Sequence, residues 1–353
     1  MIEPEVRLAI ANAGAAARGT VLIAGFGAPD LVEALRAAGA DRVIAFEQDV
    51  RRFRASAREG GAAIYGPWLG PDAPRLEVVD ATLPTTFDGA WLALPKETER
   101  LRMLLAMVAS LLARDVPLVL VGRNDAGIRS AGRHLREQIA DPEVLDFRYH
   151  ARALIARALG GAPPFDITSW RAARTETIAG HDVIVSSYPG VFSHGETDPA
   201  TAMLLSVLRL PDDARVLDVG CGSGVIATWC AKATGAKVHA VDVDALALLA
   251  TWQTARASGV GDHVGIWASD VFSDVTETYS HIVSNPPFHT GVRTTAETAQ
   301  RLIADAPRHL GARGELWIVA NRFLDYATPM TEVFRRVDVM AEDNRFRVWR
   351  ARR

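Results

Sequence analysis

Cysteine is scarce: Cys221 and Cys230 are the only two in 353 residues. Two thiols build no disulfide framework and their spacing fits no metal-ligand pattern, so a reducing, cytoplasmic setting is expected. No stretch approaches the roughly 18 apolar residues of a membrane span. The longest candidate, Met103 to Ala113, is broken by Arg114 and reads as a buried helix. The first residues, Met-Ile-Glu-Pro-Glu-Val, are acidic where a secretory leader is basic. A positive net charge is missing too: the formal value is −3, so no global basic field announces a nucleic-acid binder. Lysine occurs only as Lys96, Lys232 and Lys237 among 39 basic residues. The rest are arginines, which suit bidentate phosphate contacts. Their clusters (Arg51, Arg52, Arg54, Arg58; Arg123, Arg129, Arg133, Arg136; Arg345, Arg347, Arg350, Arg352, Arg353) read first as solvated faces.

What is present is an ordinary core-forming composition, 49% hydrophobic and 23% charged. At roughly 150 residues per domain the length predicts two domains. The Gly160-Gly161-Ala162-Pro163-Pro164 stretch is the expected joint, giving domains 1–162 and 163–353. The second half is the more legible. Strands are expected at Ala214–Val219, Lys237–Asp244, His263–Asp270 and Ser280–Ser284, each followed by a turn or helical pattern. A helix over 294–309, the strand Gly314–Asn321 and two strands around Glu342-Asp343-Asn344 complete it. The segment Thr175–Gly190 alternates as a hairpin and should belong to this domain. Strands alternating with helices imply a largely parallel α/β sheet, with the last hairpin as an antiparallel edge.

Ligands of such sheets bind at the carboxyl ends of the strands. Four successive ends here carry Asp218 with Gly220, Gly222 and Gly224; then Asp242; then Asp270; then Asn285. The glycine turn does not fit the dinucleotide fingerprint, since Val225 stands where its last glycine belongs. It reads Asp-x-Gly-x-Gly-x-Gly instead. Glycines there let a ligand approach the backbone, and the following helix N-terminus favours a carboxylate. Asp242 lies about 20 residues on, where an acid accepts ribose hydroxyls. Asp270 is placed to accept from an adenine amino group. Amino acid, ribose and adenine are the parts of S-adenosylmethionine. At the fourth end stands Asn285-Pro286-Pro287-Phe288. Two prolines end the strand in a stiff corner.

Asn-Pro-Pro-aromatic at this position resembles the catalytic motif of amino-group methyltransferases. The resemblance implies that the Asn285 amide oxygen and a backbone carbonyl, that of Pro286, accept the two N–H bonds of a conjugated amine. The nitrogen lone pair then turns toward the sulfonium methyl. Phe288 would stack on a flipped base, and this chemistry needs no metal. With Tyr188–Ser193 (YPGVFS), Ser269–Ser273 (SDVFS) and Gly314–Leu324 (GELWIVANRFL), the chain is similar to bacterial ribosomal RNA guanine-N2 methyltransferases, the small-subunit family first and the large-subunit one as a near relative. That implies methyl transfer to a guanine of 16S rRNA, within a small-subunit particle, by a monomer. The family places an Asp-x-Gly-Thr/Ser segment after YPGVFS. Here it reads Asp198-Pro199-Ala200-Thr201, so Asp198 is carried over and the glycine is not. Adenine-N6 or protein-glutamine methylation, and a non-catalytic RNA-binding assembly role, stand as alternatives.

The first half contains a degenerate copy. Val21–Pro29 (VLIAGFGAP) lies over Val216–Gly224 (VLDVGCGSG), and the same distance separates Val21 from Glu47 and Val216 from Asp242. Ile23 replaces the acid, Pro29 the third glycine, and Leu94-Pro95-Lys96 the Asn-Pro-Pro corner. The expected fold is therefore α/β, two tandem Rossmann-like, seven-stranded methyltransferase domains from a duplication. The first should neither catalyse nor bind cofactor, and should serve RNA positioning, through Arg123, Asn124, Arg129 and Arg133, or structural support. His194, Arg293 and Arg322 are weaker candidates at the substrate mouth, and His289, directly after the motif, is a weaker catalytic one.

Overall fold

The computed structural model describes residues 2–58, 61–69, 76–79, 82–194, 198–286 and 293–353, without the side chains of 293–296. The chain divides into two compact units, Met1–Trp170 and Arg171–Arg353. The division falls later than the expected joint after Ala162, because Ala162 and Phe165 pack against the first unit's core.

In the first unit the strands are β1 (Gly19–Ala24), β2 (Ala40–Glu47), β3 (Ala62–Tyr65), β4 (Glu77–Val79), β5 (Gly89–Ala93), β6 (Pro117–Arg123), β7 (Glu143–Asp146) and β8 (Ala151–Arg157). They form one sheet in the order β4-β3-β2-β1-β5-β6-β8-β7. The helices are α1 (Pro4–Ala11), α2 (Pro29–Ala37), α3 (Val50–Ala57), α4 (Thr98–Leu111) and α5 (Ile128–Gln138). Strand residues bury both faces, as parallel strands between helices must. Leu22, Ile44, Leu92 and Leu120 meet Leu105, Val108, Ile128 and Leu135 of α4 and α5. The alternate residues Val21, Ile23, Val43 and Trp91 are just as buried.

The second unit begins with a separate antiparallel hairpin, β9 (Ala172–Ile178) and β10 (His181–Ser187). Its main sheet comprises β11 (Val216–Val219), β12 (Val238–Asp242), β13 (Val264–Ala268), β14 (Tyr279–Ser284), β15 (Leu310–Asn321), β16 (Arg336–Glu342) and β17 (Phe346–Arg352). Their order is β13-β12-β11-β14-β15-β17-β16. The helices are α6 (Pro199–Val207), α7 (Val225–Thr234), α8 (Ala245–Ala257), α9 (Arg293–Asp305) and α10 (Ala327–Val333). Leu217, Ile282, Leu316 and Trp349 pack with Leu302, Ile303 and Met330 of α9 and α10.

Both sheets share one topology: five parallel strands with the order reversing beside the first, then an antiparallel hairpin on the far edge. The registers agree as well. Val21 pairs with Val43 as Val216 pairs with Val238, and Ala90 with Leu118 as Ile282 with Leu316. The duplication is thus visible in the backbone. The first unit departs from the expected seven strands by one, since β4 adds an antiparallel edge to β3.

Candidate active site

Strand order reverses at β11, between β12 and β14, and the crevice at its carboxyl end holds the candidate site. Gly220, Gly222 and Gly224 all have positive φ, at 75°, 54° and 77°. A methyl group on Gly220 would meet nothing within 4 Å, and on Gly222 only the Phe192 Cβ at 3.8 Å. These two face open space. Gly224 does not: a methyl there would lie 2.7 Å from the Thr251 Cα of α8, so its absence lets α7 and α8 close together. Gly224 therefore serves helix packing.

The acids differ in the same way. Asp218 is fully buried below the turn. Its Oδ2 accepts from the Ala227 amide at 3.1 Å, while its Oδ1 has no hydrogen-bond partner among the described residues. Burial pushes this carboxyl up to about 8, aided by the Asp242 charge. Asp242 ends β12. Its Oδ2 accepts from the Gly222 amide at 3.0 Å and its Oδ1 from the Asp244 amide at 2.9 Å. A carboxylate has about four lone-pair positions, so both oxygens keep capacity for ligand hydroxyls. Burial pushes it up to about 6. Asp270 follows β13, but its Oδ2 pairs with Arg301 Nη1 of α9 at 2.9 Å, and it does not line the pocket at the glycine turn. Val271 beside it has φ 58°, a strained value for a β-branched residue. Ser269 Oγ donates to the Val271 carbonyl, and Ser273 Oγ accepts from the Asp270 amide, which fixes this turn.

Asn285 follows β14 and shares a pocket with Gly220 and Gly222. Its Nδ2 donates to Asp198 Oδ2 at 2.6 Å and to Thr201 Oγ1 at 2.9 Å. A carboxylate only accepts, so the amide nitrogen must face Asp198 and the amide oxygen must face away. That oxygen is buried and has no partner among the described residues. Asp198 also caps α6, accepting from the Thr201 amide at 2.7 Å. One carboxylate therefore starts a helix and orients the asparagine. Pro286 is buried behind it. Pro287, Phe288 and His289 lie outside the described residues, as does the side chain of Arg293.

The pocket is narrow and open to solvent. Sequence reasoning missed part of its wall: Arg174, Glu176 and Ile178 of β9, Phe192, Ser193 and Thr201. The hairpin reaches it because the Ser186 amide donates to Thr254 of α8, the Ile184 amide to Ser258 at the end of α8, and Trp229 Nε1 to the Ile178 carbonyl. Glu176 is buried and paired with Arg174. An acid alternating inward on a strand was the available signal. His194 Nδ1 lies 2.8 Å from Ser187 Oγ, and Arg322 pairs with Glu342, so neither stands free at the mouth. Burial pushes both thiols, Cys221 and Cys230, well up. Among the described residues, no group of His, Cys, Asp and Glu is arranged to hold a metal ion, and no helix is long and apolar enough to cross a membrane.

Two Rossmann-like sheets, the second with a glycine turn, a ribose-type acid and a pinned asparagine at its switch point, define a tandem-domain methyltransferase. Comparison with known proteins agrees. Residues 182–350 match the methyltransferase small domain, and residues 16–173 match its N-terminal domain. A ribosomal RNA small subunit methyltransferase C of Aeromonas hydrophila is 37% identical over 292 residues, covering 82% of this chain and 81% of that one. The protein of the same name from Chromohalobacter salexigens is 36% identical over 296 residues, covering 82% and 86%. A solved T. thermophilus 16S rRNA N2 methyltransferase (RsmC), in complex with AdoMet and guanosine, superposes with a TM-score of 0.84 at 25% identity, covering 99% of this chain and 92% of that one. The chain belongs to the ribosomal RNA small subunit methyltransferase C family.

Proposed function

We propose that this methyltransferase transfers the methyl group of S-adenosylmethionine to the N2 amino group of a guanine in 16S rRNA, acting in the cytoplasm on a small-subunit particle. The observation that carries the reading is Asn285. Its amide nitrogen is held by Asp198 and Thr201, and its oxygen is a buried acceptor beside the glycine turn, without a partner among the described residues. An orphaned buried acceptor costs about 1–3 kcal/mol. It is worth keeping where a substrate N–H completes it, because the acceptor is then oriented before substrate arrives.

The residues present fit the cofactor. The space at Gly220 and Gly222 admits it, and the open lone pairs of Asp242 suit ribose hydroxyls. Asp218 shapes the turn from below through Ala227. Asp270 is the remaining candidate, for the adenine amino group, with Arg301 as its present partner. Bound S-adenosylmethionine supplies a methyl group on a positively charged sulfur. The chain's own part is at the amine: Asn285 Oδ1 and the Pro286 carbonyl accept its N–H bonds, and positive charge growing on nitrogen is met by these dipoles. Phe288 would hold the base by stacking.

The first unit is non-catalytic in this reading. Arg52 of α3 stands over its glycine turn: a methyl on Gly27 would lie 2.8 Å from the Arg52 Cβ, and Arg52 Nη1 donates to the Gly25 carbonyl. The unit's remaining roles are support and RNA positioning.

The test is transfer of labelled methyl to unmodified 30S particles, 50S particles and free rRNA, followed by nucleoside analysis. Label in N2-methylguanosine from 30S particles supports the proposal. Label only in 50S particles, in adenine or in protein overturns the substrate, and cofactor binding with no transfer at all leaves a non-catalytic assembly role.

A further inference from the structure

Glu176 is a buried acid on the inner face of the β9–β10 hairpin, only 8% exposed. Its cross-strand partner is Val183, and Val183 and Val185 on that face are fully buried. An apolar residue would suit such a position. An ion pair stands there instead, Glu176 Oε1 with Arg174 Nε. Taking both charges out of water costs free energy that their attraction seldom repays, and apolar residues in place of such a pair are often neutral or stabilising. Core packing therefore does not account for the pair. Its position does.

Arg174 and Glu176 line the pocket at the glycine turn, together with Gly220, Gly222, Val225 and Ile226. Asp242 and Asp270, the acids at the β12 and β13 ends, do not line it. The strand order then separates the two ends of a bound cofactor. Ribose and adenine belong on the side of β12 and β13, and the amino-acid end belongs in the pocket over the start of α7. That end is a zwitterion. The α7 N-terminus favours its carboxylate. Its ammonium carries three N–H donors and needs an acceptor. Two carboxylates line the pocket. Asp198 is committed through Oδ2 to the Thr201 amide and to Asn285 Nδ2. Glu176 is engaged among the described residues at Oε1, by Arg174, and keeps lone pairs for a further donor. The arginine fixes the direction in which the acid points.

We propose that Glu176 is the acceptor for the α-ammonium group of S-adenosylmethionine, with Arg174 as its positioning residue, so that a hairpin outside the main sheet selects the cofactor by its amino group. This rests on the cofactor and not on the methyl acceptor. Four probes test it by calorimetry on the full-length chain: S-adenosylhomocysteine, its analogue without the amino group, its analogue without the carboxylate, and 5′-methylthioadenosine, which has neither. The wild-type chain should bind S-adenosylhomocysteine about tenfold to a hundredfold more tightly than the deaminated analogue, the effect of one hydrogen bond to a charged group. Glu176→Gln should remove most of that preference. It should weaken S-adenosylhomocysteine and the decarboxylated analogue alike, and leave the deaminated analogue and 5′-methylthioadenosine unchanged. Arg174→Lys keeps the charge but loses the Nε contact, and should remove part of the preference. Equal weakening of all four ligands in Glu176→Gln marks a structural role and overturns the proposal. Weakening confined to the ligands that carry the carboxylate overturns it too. So does a wild-type chain that holds the deaminated analogue as tightly as S-adenosylhomocysteine, a result that needs no variant to fold. Binding of S-adenosylhomocysteine by the wild-type chain keeps the cofactor site itself, whichever way the preference falls.

Discussion

Glu47 and Asp242 occupy the same place in the two units, and the comparison between them is the most instructive in the molecule. Each ends the second strand of its sheet and accepts from the second glycine of its turn, Gly27 at 2.8 Å or Gly222 at 3.0 Å. Each is followed by an aspartate, Asp49 or Asp244, that caps the next helix. Around Asp242 the glycines open onto a pocket; around Glu47 the same space is filled by Arg52. At the first acid, Asp218 faces Ile23 across the alignment of registers, and at the corner, Asn285 faces Ala93. The pairing thus moves the lost corner one residue earlier than Leu94. Strand pairing and two-faced burial survive the loss of the chemistry because they rest on dozens of apolar contacts. The chemistry rests on a few side chains and goes with them.

The widest gap between the units should open at Asn285. Asn285→Ala removes the oriented acceptor and should lower kcat about 10²–10³-fold with cofactor affinity kept, while Ala93→Asn in the first unit should add no activity; single-turnover methylation of 30S particles reads both. Releasing the asparagine comes next. Asp198→Ala frees its amide and should lower kcat about tenfold to a hundredfold, and removing the helix cap should also cost about 1 kcal/mol of stability, read by denaturant melts. A third contrast pairs the two acids. Asp242→Asn should weaken S-adenosylmethionine about tenfold to a hundredfold by calorimetry, the effect of one charged acceptor at about 1.5–3 kcal/mol, whereas Glu47→Gln should leave that affinity unchanged.

The smallest effect is in pH. Burial raises Asp242 to about 6, so its carboxylate, the form that accepts hydroxyls with every lone pair, is lost as pH falls through 6 and cofactor affinity should fall with it. For stability the sign is the opposite. Burial raises Glu47 to about 7, so the folded unit holds a proton that the unfolded chain has shed. Its contribution is fully present below the ordinary glutamate range and is lost as pH rises through 7. Glu47→Gln should flatten the melting temperature between pH 4.5 and 7. A curve as steep as wild type would mean the buried carboxyl is compensated in some other way.

Much of this was legible in the chain. The parallel strands announce themselves as apolar runs, and the polar residues that end them, Asp218, Asp242 and Asn285, mark the crevice because nothing in a buried sheet otherwise favours them there. The duplication was legible in matched spacings. Hidden were features made by distant segments. The Asp198–Thr201–Asn285 contact joins a helix start to a strand end far along the sequence. The hairpin wall with Arg174 and Glu176 showed its alternation but not what it faces. Gly224 looks like its neighbours in sequence, and only the packing of α7 on α8 separates it from them. Arg52 reads as one of a solvated cluster until its stem is seen over Gly27.

The central claim is that one unit binds cofactor and its copy does not. Equilibrium dialysis of S-adenosylmethionine against the full chain counts the sites directly. The account predicts one molecule per chain, with that site weakened by Asp242→Asn. Two molecules per chain, or a single site that answers to Glu47→Gln and not to Asp242→Asn, would contradict it.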